Sequence, residues 1–392
     1  MLIALLPSGL NHNYLRRRLI VLISICLVGH GVLQAQKLPV LHDQEILSQV
    51  KEVASYVYNE SPDSAELLIK KMELRLPKHP VIPMMRAMNI AWQDQPIRTT
   101  SPTYPAHQAQ LEKVIAYSEK LIEQDPDDLD GLFFKMSAHG LLAEYLAREG
   151  SYMKSVTQAK KTYNLITVTM EQTEQSPEFY FLAGLYNYFR EKYPERHPVY
   201  SPFLWFFKSG NKALGLKQLD SAVYQSTIVR AEAHLYTAYI YLRYENNPHK
   251  ALFYLKKLHY EYPRNTYFKA KYIEGLMAIG DYQTAMPLVK TLLGNPKAYF
   301  RMCGEVFTAI YQEKIQGSDE MAEKYYHKAI ASGNTDPDRG EYYKSLAFVG
   351  MGRIMERQGK VNQAINYYKL AVEVDESDLV TKEAKERLER LD

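Results

Sequence analysis

Residues Gly280 to Ala285 read GDYQTA, and Gly359 to Ala364 read GKVNQA. Gly150 to Ser155, GSYMKS, is a third copy. In each, a glycine begins a turn, an apolar residue sits two places on, and a small residue follows three after that. Outward from these turns, apolar residues recur three and four apart in blocks of helical length. No sustained period-two alternation appears, so the pattern predicts helices and not strands. The blocks end at clusters such as Asp125-Pro126-Asp127-Asp128 and Asn246-Asn247-Pro248, which punctuate helices. They come in pairs, and equivalent alanines Ala251 and Ala285 lie 34 residues apart.

A 34-residue helix pair with this residue pattern resembles the tetratricopeptide repeat (TPR) family. One pair carries Phe348, Met351, Gly352 and Met355, then Ala364, Tyr368 and Ala371, with Glu376 where the family closes on proline. Another carries Leu235, Ala238, Tyr239 and Leu242, then Ala251, Leu255, Leu258 and Pro263, its small residue displaced by one place. Small residues let the two helices approach, and large ones fill the seam to the next pair. The clearest repeats are 232–265, 266–299, 303–336 and 345–378; weaker copies extend N-terminally. The resemblance implies an all-α, right-handed superhelical solenoid over 40–392, of about eight antiparallel pairs. Each pair leaves one apolar face for its neighbour to cover. Residues 378–392, containing KEAKERLERL, read as a capping helix with Leu388 and Leu391 as its apolar contacts.

Residues 1–35 read as a signal peptide. Arg16, Arg17 and Arg18 precede the short apolar run Leu19 to Leu33, and cleavage is expected between Ala35 and Gln36. The rival is an uncleaved membrane anchor, against which the run is short and carries Gly29, His30 and Gly31. A lipoprotein reading is disfavoured by the bulky Ile25 before Cys26. Residues Met1 to Tyr14, ahead of the arginines, are unusual for a signal peptide and fit a start codon assigned too early. The expected location is periplasmic or secreted, with an N-terminally anchored form facing the periplasm as the alternative.

Of 48 Lys and Arg, three are Arg16–Arg18; the remaining 45 balance 45 Asp and Glu. A neutral body gives no overall basic field for nucleic acid. Without the N-terminal run, Cys303 is the only cysteine, which excludes an intrachain disulfide and reads as a buried, inert thiol. HExxH, Cys-x-x-Cys, a phosphate-binding Gly-Lys-Ser/Thr loop and Gly-x-Ser-x-Gly are all absent. Asp127 and Asp128 read as helix caps, not as an acid–base pair. The expectation is therefore a non-enzymatic protein with no metal and no cofactor.

The spacing breaks twice. Ser155 to Gly215 exceeds one repeat by 26 residues, and the excess falls at 190–209, REKYPERHPVYSPFLWFFKSG from Arg190 to Gly210. Pro194, Pro198 and Pro202 oppose one continuous helix there. The sharp reading is a binding insert using Tyr193, His197, Tyr200, Trp205 and Phe206; the plainer and favoured one is a plug between pairs. A mixed outcome would bury Trp205 and Phe206 and present Tyr193, His197 and Tyr200. The second break, Trp92 to His107, is polar and reads as an exposed loop.

In TPR proteins the first helix of each pair lines a concave groove. The resemblance thus implies a binding surface of Phe181, Tyr188, Tyr236, Arg243, Tyr267, Glu274, Tyr311 and Arg353. With 32 tyrosines in the chain, such a groove suits a protein or extended peptide. The expected function is an exported TPR scaffold in an envelope assembly, transport or secretion system. The alternative is a small-ligand or lipid-binding module whose apolar cavity the aromatic insert closes.

Overall fold

The computed structural model describes residues 39–169, 176–196, 198–334, 340–374 and 378–391. Within Val40–Asp392 the described chain is helical throughout, with no strand. Eight pairs follow in order: α1 (Gln44–Tyr58) with α2 (Pro62–Arg75), α3 (Val81–Gln93) with α4 (Tyr104–Gln124), α5 (Leu129–Arg148) with α6 (Tyr152–Thr169), and α7 (Phe179–Arg196) with α8 (Lys212–Gln225). Then come α9 (Arg230–Arg243) with α10 (Pro248–Glu261), α11 (Thr266–Ala278) with α12 (Tyr282–Leu293), α13 (Ala298–Lys314) with α14 (Asp319–Asn334), and α15 (Glu341–Arg357) with α16 (Val361–Val374). Helix α17 (Asp378–Leu391) packs on the last pair. Consecutive helices pack antiparallel into a TPR-like superhelical solenoid.

The turn glycines do what a residue without Cβ can do. Gly150, Gly280 and Gly359 all have positive φ, between 72° and 79°, and reverse the chain between the helices of a pair. Helices α5 and α10 are started by side chains: Asp128 Oδ1 accepts from Gly131 N at 2.6 Å, and Asn247 Oδ1 from Lys250 N at 3.1 Å. At the seam, Ala251, Ala285, Ala322, Ala364 and Ala371 are fully buried. A Cβ on Gly352 would lie 2.4 Å from the Tyr368 ring, so only glycine admits that ring. Cys303 is buried, and burial pushes its thiol up to about 12, well away from reactivity.

One expectation of a simple solenoid fails. Each repeat should touch only its neighbours, yet the first two pairs dock across onto the fifth and sixth. The fully buried ring of Tyr58, at the end of α1, packs on Tyr262 (4.9 Å), Trp92 (5.0 Å) and Phe268 (5.7 Å). Its hydroxyl donates to Glu232. Asn265 Nδ2 donates to the Tyr58 carbonyl at 2.7 Å, Glu60 accepts from Thr266 N at 2.9 Å, and Arg264 reaches Ser61. Further along, Trp92 meets Phe268 at 4.8 Å, and Lys297 Nζ donates to the Gln93 carbonyl at 2.8 Å.

The segment after α3 follows the same course, which corrects its reading as an exposed loop. Ile97, Ser101, Tyr104 and His107 are buried, and Arg98 approaches Glu341 at 3.6 Å. The physical reason is the docking: a stretch that would face solvent on a straight rod is here enclosed between distant pairs.

Candidate functional site

The first helices of pairs three, five, six and eight, with the segment at Arg98, converge on one inner wall. From α5, Glu144 accepts the Tyr236 hydroxyl of α9 at 2.5 Å and pairs with Arg148 one turn on. Phe181 lies edge-on to Tyr236 at 5.6 Å. Next along the wall, Arg243 is 3.4 Å from the Tyr342 ring centre and within reach of Tyr239. Tyr267 stacks toward Tyr299 at 6.2 Å, under Lys271.

At the base of the wall Glu274 is almost wholly buried. It pairs with Arg243, accepts from Lys271 Nζ at 3.1 Å, and accepts the Tyr343 hydroxyl at 2.7 Å. Burial alone would raise its pKa; the charges of Arg243 and Lys271 win and hold it well below the usual carboxylate range. This carboxylate is a permanent anion bridging pairs five, six and eight.

Above this base the wall is open to solvent. Arg148 keeps 45% of its side-chain surface accessible, so its guanidinium meets solvent at this wall. Tyr236, Tyr239, Tyr267, Lys271, Glu341 and Tyr342 are half-buried around it. Burial, and after it the Arg148 guanidinium, lowers the pKa of Arg98, so two like charges lie close together on this wall.

The structure therefore sorts the expected groove residues. Phe181, Tyr236, Arg243, Tyr267 and Glu274 are brought to the inner wall, but Phe181, Arg243 and Glu274 are buried in it and present no free surface. Tyr188 is fully buried and bonded to Glu245 at 2.6 Å. Each was expected to face a partner; each instead satisfies a neighbouring pair, because helix packing leaves no gap at those positions. Tyr311 stands apart beside Tyr282 and Gln316. Arg353 is tied up in a separate cluster, bidentate to Glu313 at 2.8 Å for both contacts and reaching Glu383 at 2.9 Å. Arg98, Glu144 and Arg148 were missed. Their only signal was charge inside otherwise apolar or loop stretches.

The insert also departs from expectation. Helix α7 runs through Pro194 to Arg196, and a 3-10 helix covers Pro198–Phe206. Trp205, expected buried in both the plug and the mixed outcome, is 76% exposed and stacks on Phe206 at 3.7 Å. Tyr200, presented in the sharp and mixed outcomes, is half-buried, its ring 5.5 Å from Tyr152. The short 3-10 turn inverts the order by holding its backbone against α7, with Arg190 donating to the Leu204 and Phe207 carbonyls. His197 and the side chain of Tyr193 lie outside the described residues, as do Ala35 and Gln36. Two clefts lie along the docking seam, about 50 Å³ beside Tyr58 and Arg230 and about 280 Å³ beside Trp92 and Lys297. Neither is lined by the 3-10 helix, so neither is a cavity closed by the insert.

Among the described residues no His, Cys, Asp and Glu group of three or more is placed to hold a metal ion, and no helix is long and apolar enough to cross a membrane.

The helix pairs and their stacking define a TPR-like helical-repeat protein. No family model matches the chain, and no curated protein matches it. Among solved structures it is similar to the human IFIT1 dimer with PPP-AAAA, at 13% identity over 89% of this chain and 94% of that one, with a TM-score of 0.40. It is also similar to yeast Tom70, at 10% identity over 88% of this chain and 82% of that one, TM-score 0.36. Likenesses this distant say nothing of what this chain binds.

Proposed function

We propose that this chain is a binding scaffold that takes an extended peptide segment along its inner wall. The observation that carries the reading is the convergence of the exposed Arg148 with the half-buried Arg98, Lys271, Tyr239, Tyr267 and Tyr342 on one inner wall. These come from five separate parts of the chain, so the surface exists only in the assembled fold. Tyrosine rings offer apolar area with a hydroxyl at the tip, and the cations suit backbone carbonyls and acidic side chains. A preorganised wall reduces the ordering cost of binding.

Panning displayed random peptides against the purified protein tests this. Enriched peptides should bind Arg148→Ala and Tyr239→Ala about tenfold or more weakly. Peptides that bind both variants as tightly as the parent would overturn the reading.

The same reading includes a site of action outside the cytoplasm, in an envelope assembly, transport or secretion system. The arginine-flanked apolar run Leu19 to Leu33 supports it. N-terminal sequencing of exported protein should begin at Gln36; a full-length, membrane-retained product would defeat the cleavage.

A further inference from the structure

Helix α6 and the 3-10 helix form one contiguous face. Tyr152 meets Tyr200 at 5.5 Å, Tyr163 meets Phe207 at 5.2 Å, and Lys160 Nζ lies 4.5 Å from the Phe206 ring centre. On it stand Trp205, Met153 (63% exposed) and Val199 (45%), apolar side chains with little protein to cover them. Scattered exposed apolar residues are ordinary, but a tryptophan three-quarters exposed and flanked by two more is not.

The charge on this face is one-sided. Residues 150–169 and 198–218 contain no Asp or Glu, whereas Lys154, Lys160, Lys161 and Lys208 are all exposed. In a body whose charges otherwise balance, that is a local excess of four. Two bordering carboxylates on α7 are engaged, Glu195 with Lys192 at 2.6 Å and Glu191 with Lys212 N at 3.3 Å, and Glu149 stands exposed just before α6. The presentation is also built. Arg190 grips two carbonyls of the turn, and the Lys208 backbone is fixed at both ends, its carbonyl accepting from Tyr186 and its N–H donating to Tyr163 Oη at 3.2 Å.

We propose that this face docks on an anionic lipid surface, with Trp205, Val199 and Met153 entering the headgroup boundary and the lysines meeting lipid phosphates. Tryptophan favours that boundary because its ring is apolar and its N–H polar. Lysine stems lie along apolar surface while their ammonium groups stay in water near the anions. An acidic peptide would satisfy the lysines but leave the protruding apolar tips uncovered, which favours the bilayer. The proposal is independent of peptide binding, since α6 is the second, outer helix of its pair.

The chain has two tryptophans, Trp92 and Trp205, so Trp92→Phe leaves Trp205 as sole reporter. The full-length variant is mixed with vesicles of phosphatidylcholine and phosphatidylglycerol carrying brominated acyl chains. Trp205 emission should shift to the blue and be quenched. Lys160→Gln with Lys161→Gln should lower the partition coefficient read from that quenching by roughly 30-fold. Phosphatidylcholine vesicles alone should give little quenching. If Trp92→Phe does not fold, the difference between wild type and Trp205→Phe supplies the same signal. Trp205 emission that stays red and accessible to aqueous iodide on bound vesicles would overturn the proposal, as would equal quenching by neutral vesicles. A blue shift driven by protein concentration without lipid would instead mean a second copy covers the face, and would also overturn it.

Discussion

Asn265 holds Tyr58 from across 207 residues of chain. Its Nδ2 donates to the Tyr58 carbonyl at 2.7 Å while its Oδ1 accepts from Phe268 N at 2.8 Å and starts α11. One side chain thus caps a middle helix and fastens the end of the first. Such a double role makes the N-terminal docking specific where apolar contact alone would let it slide.

Replacing Asn265 by Ala should cost about 2–4 kcal/mol, the sum of a lost N-cap and a buried carbonyl left unsatisfied. Amide exchange should quicken first in α1 and at the start of α11, with α15 and α16 unchanged. Uniform loss of protection along the chain would contradict the local role.

The same seam carries a pH response. Burial pushes the Glu232 carboxyl up to about 7, with the Tyr58 hydroxyl opposing, so the folded state keeps a proton the unfolded chain has released. Stability should therefore fall as pH rises from the ordinary glutamate range through about 7, then level off, by on the order of 1–3 kcal/mol. Glu178, also raised by burial, acts in the same direction. Urea midpoints at about pH 5 and about pH 8 should differ less in Glu232→Gln than in the parent.

Glu274 should tolerate no neutral substitute. Glu274→Gln leaves Arg243 and Lys271 without their counter-charge and should destabilise by about 3–5 kcal/mol. Replacing Glu274 and Arg243 together by apolar residues should cost less than the sum of the single changes, which a double-mutant cycle on thermal unfolding checks.

Gly352→Ala should lower stability by about 1–3 kcal/mol, because the new methyl meets the Tyr368 ring. Tyr368→Leu in the same chain should recover part of that loss, as read by denaturant midpoints. No recovery would mean the strain lies elsewhere.

What was legible in the sequence was what repeats. Gly352, Ala364 and Tyr368 sit in a periodic pattern because stacking neighbours requires the same contact in every pair. Asp128 was legible as a cap because its effect is confined to one helical turn. The docking of Tyr58 on Tyr262 and Phe268 was not, since a contact made once between remote repeats leaves no period to detect. Trp92 and Ile97 were the available signals, two large apolar residues in a stretch otherwise polar. Trp205 was misjudged for a related reason: its aromatic neighbours argued for burial, while its exposure depends on Arg190 gripping the turn from another helix. The inner wall was half legible. Helical register put Tyr236, Arg243 and Tyr267 on the right face, but register does not tell which are consumed by neighbouring charges such as Glu274.

Beyond Trp92, the partners of Tyr58 carry the numbers 232, 262, 265 and 268. A polypeptide made from its N-terminus onward therefore exposes its opening hairpins with nothing to seal them until residue 268 has left the ribosome. Those early helices must wait for the middle of the message to be read, and any factor that shields nascent chains has its natural client in that interval.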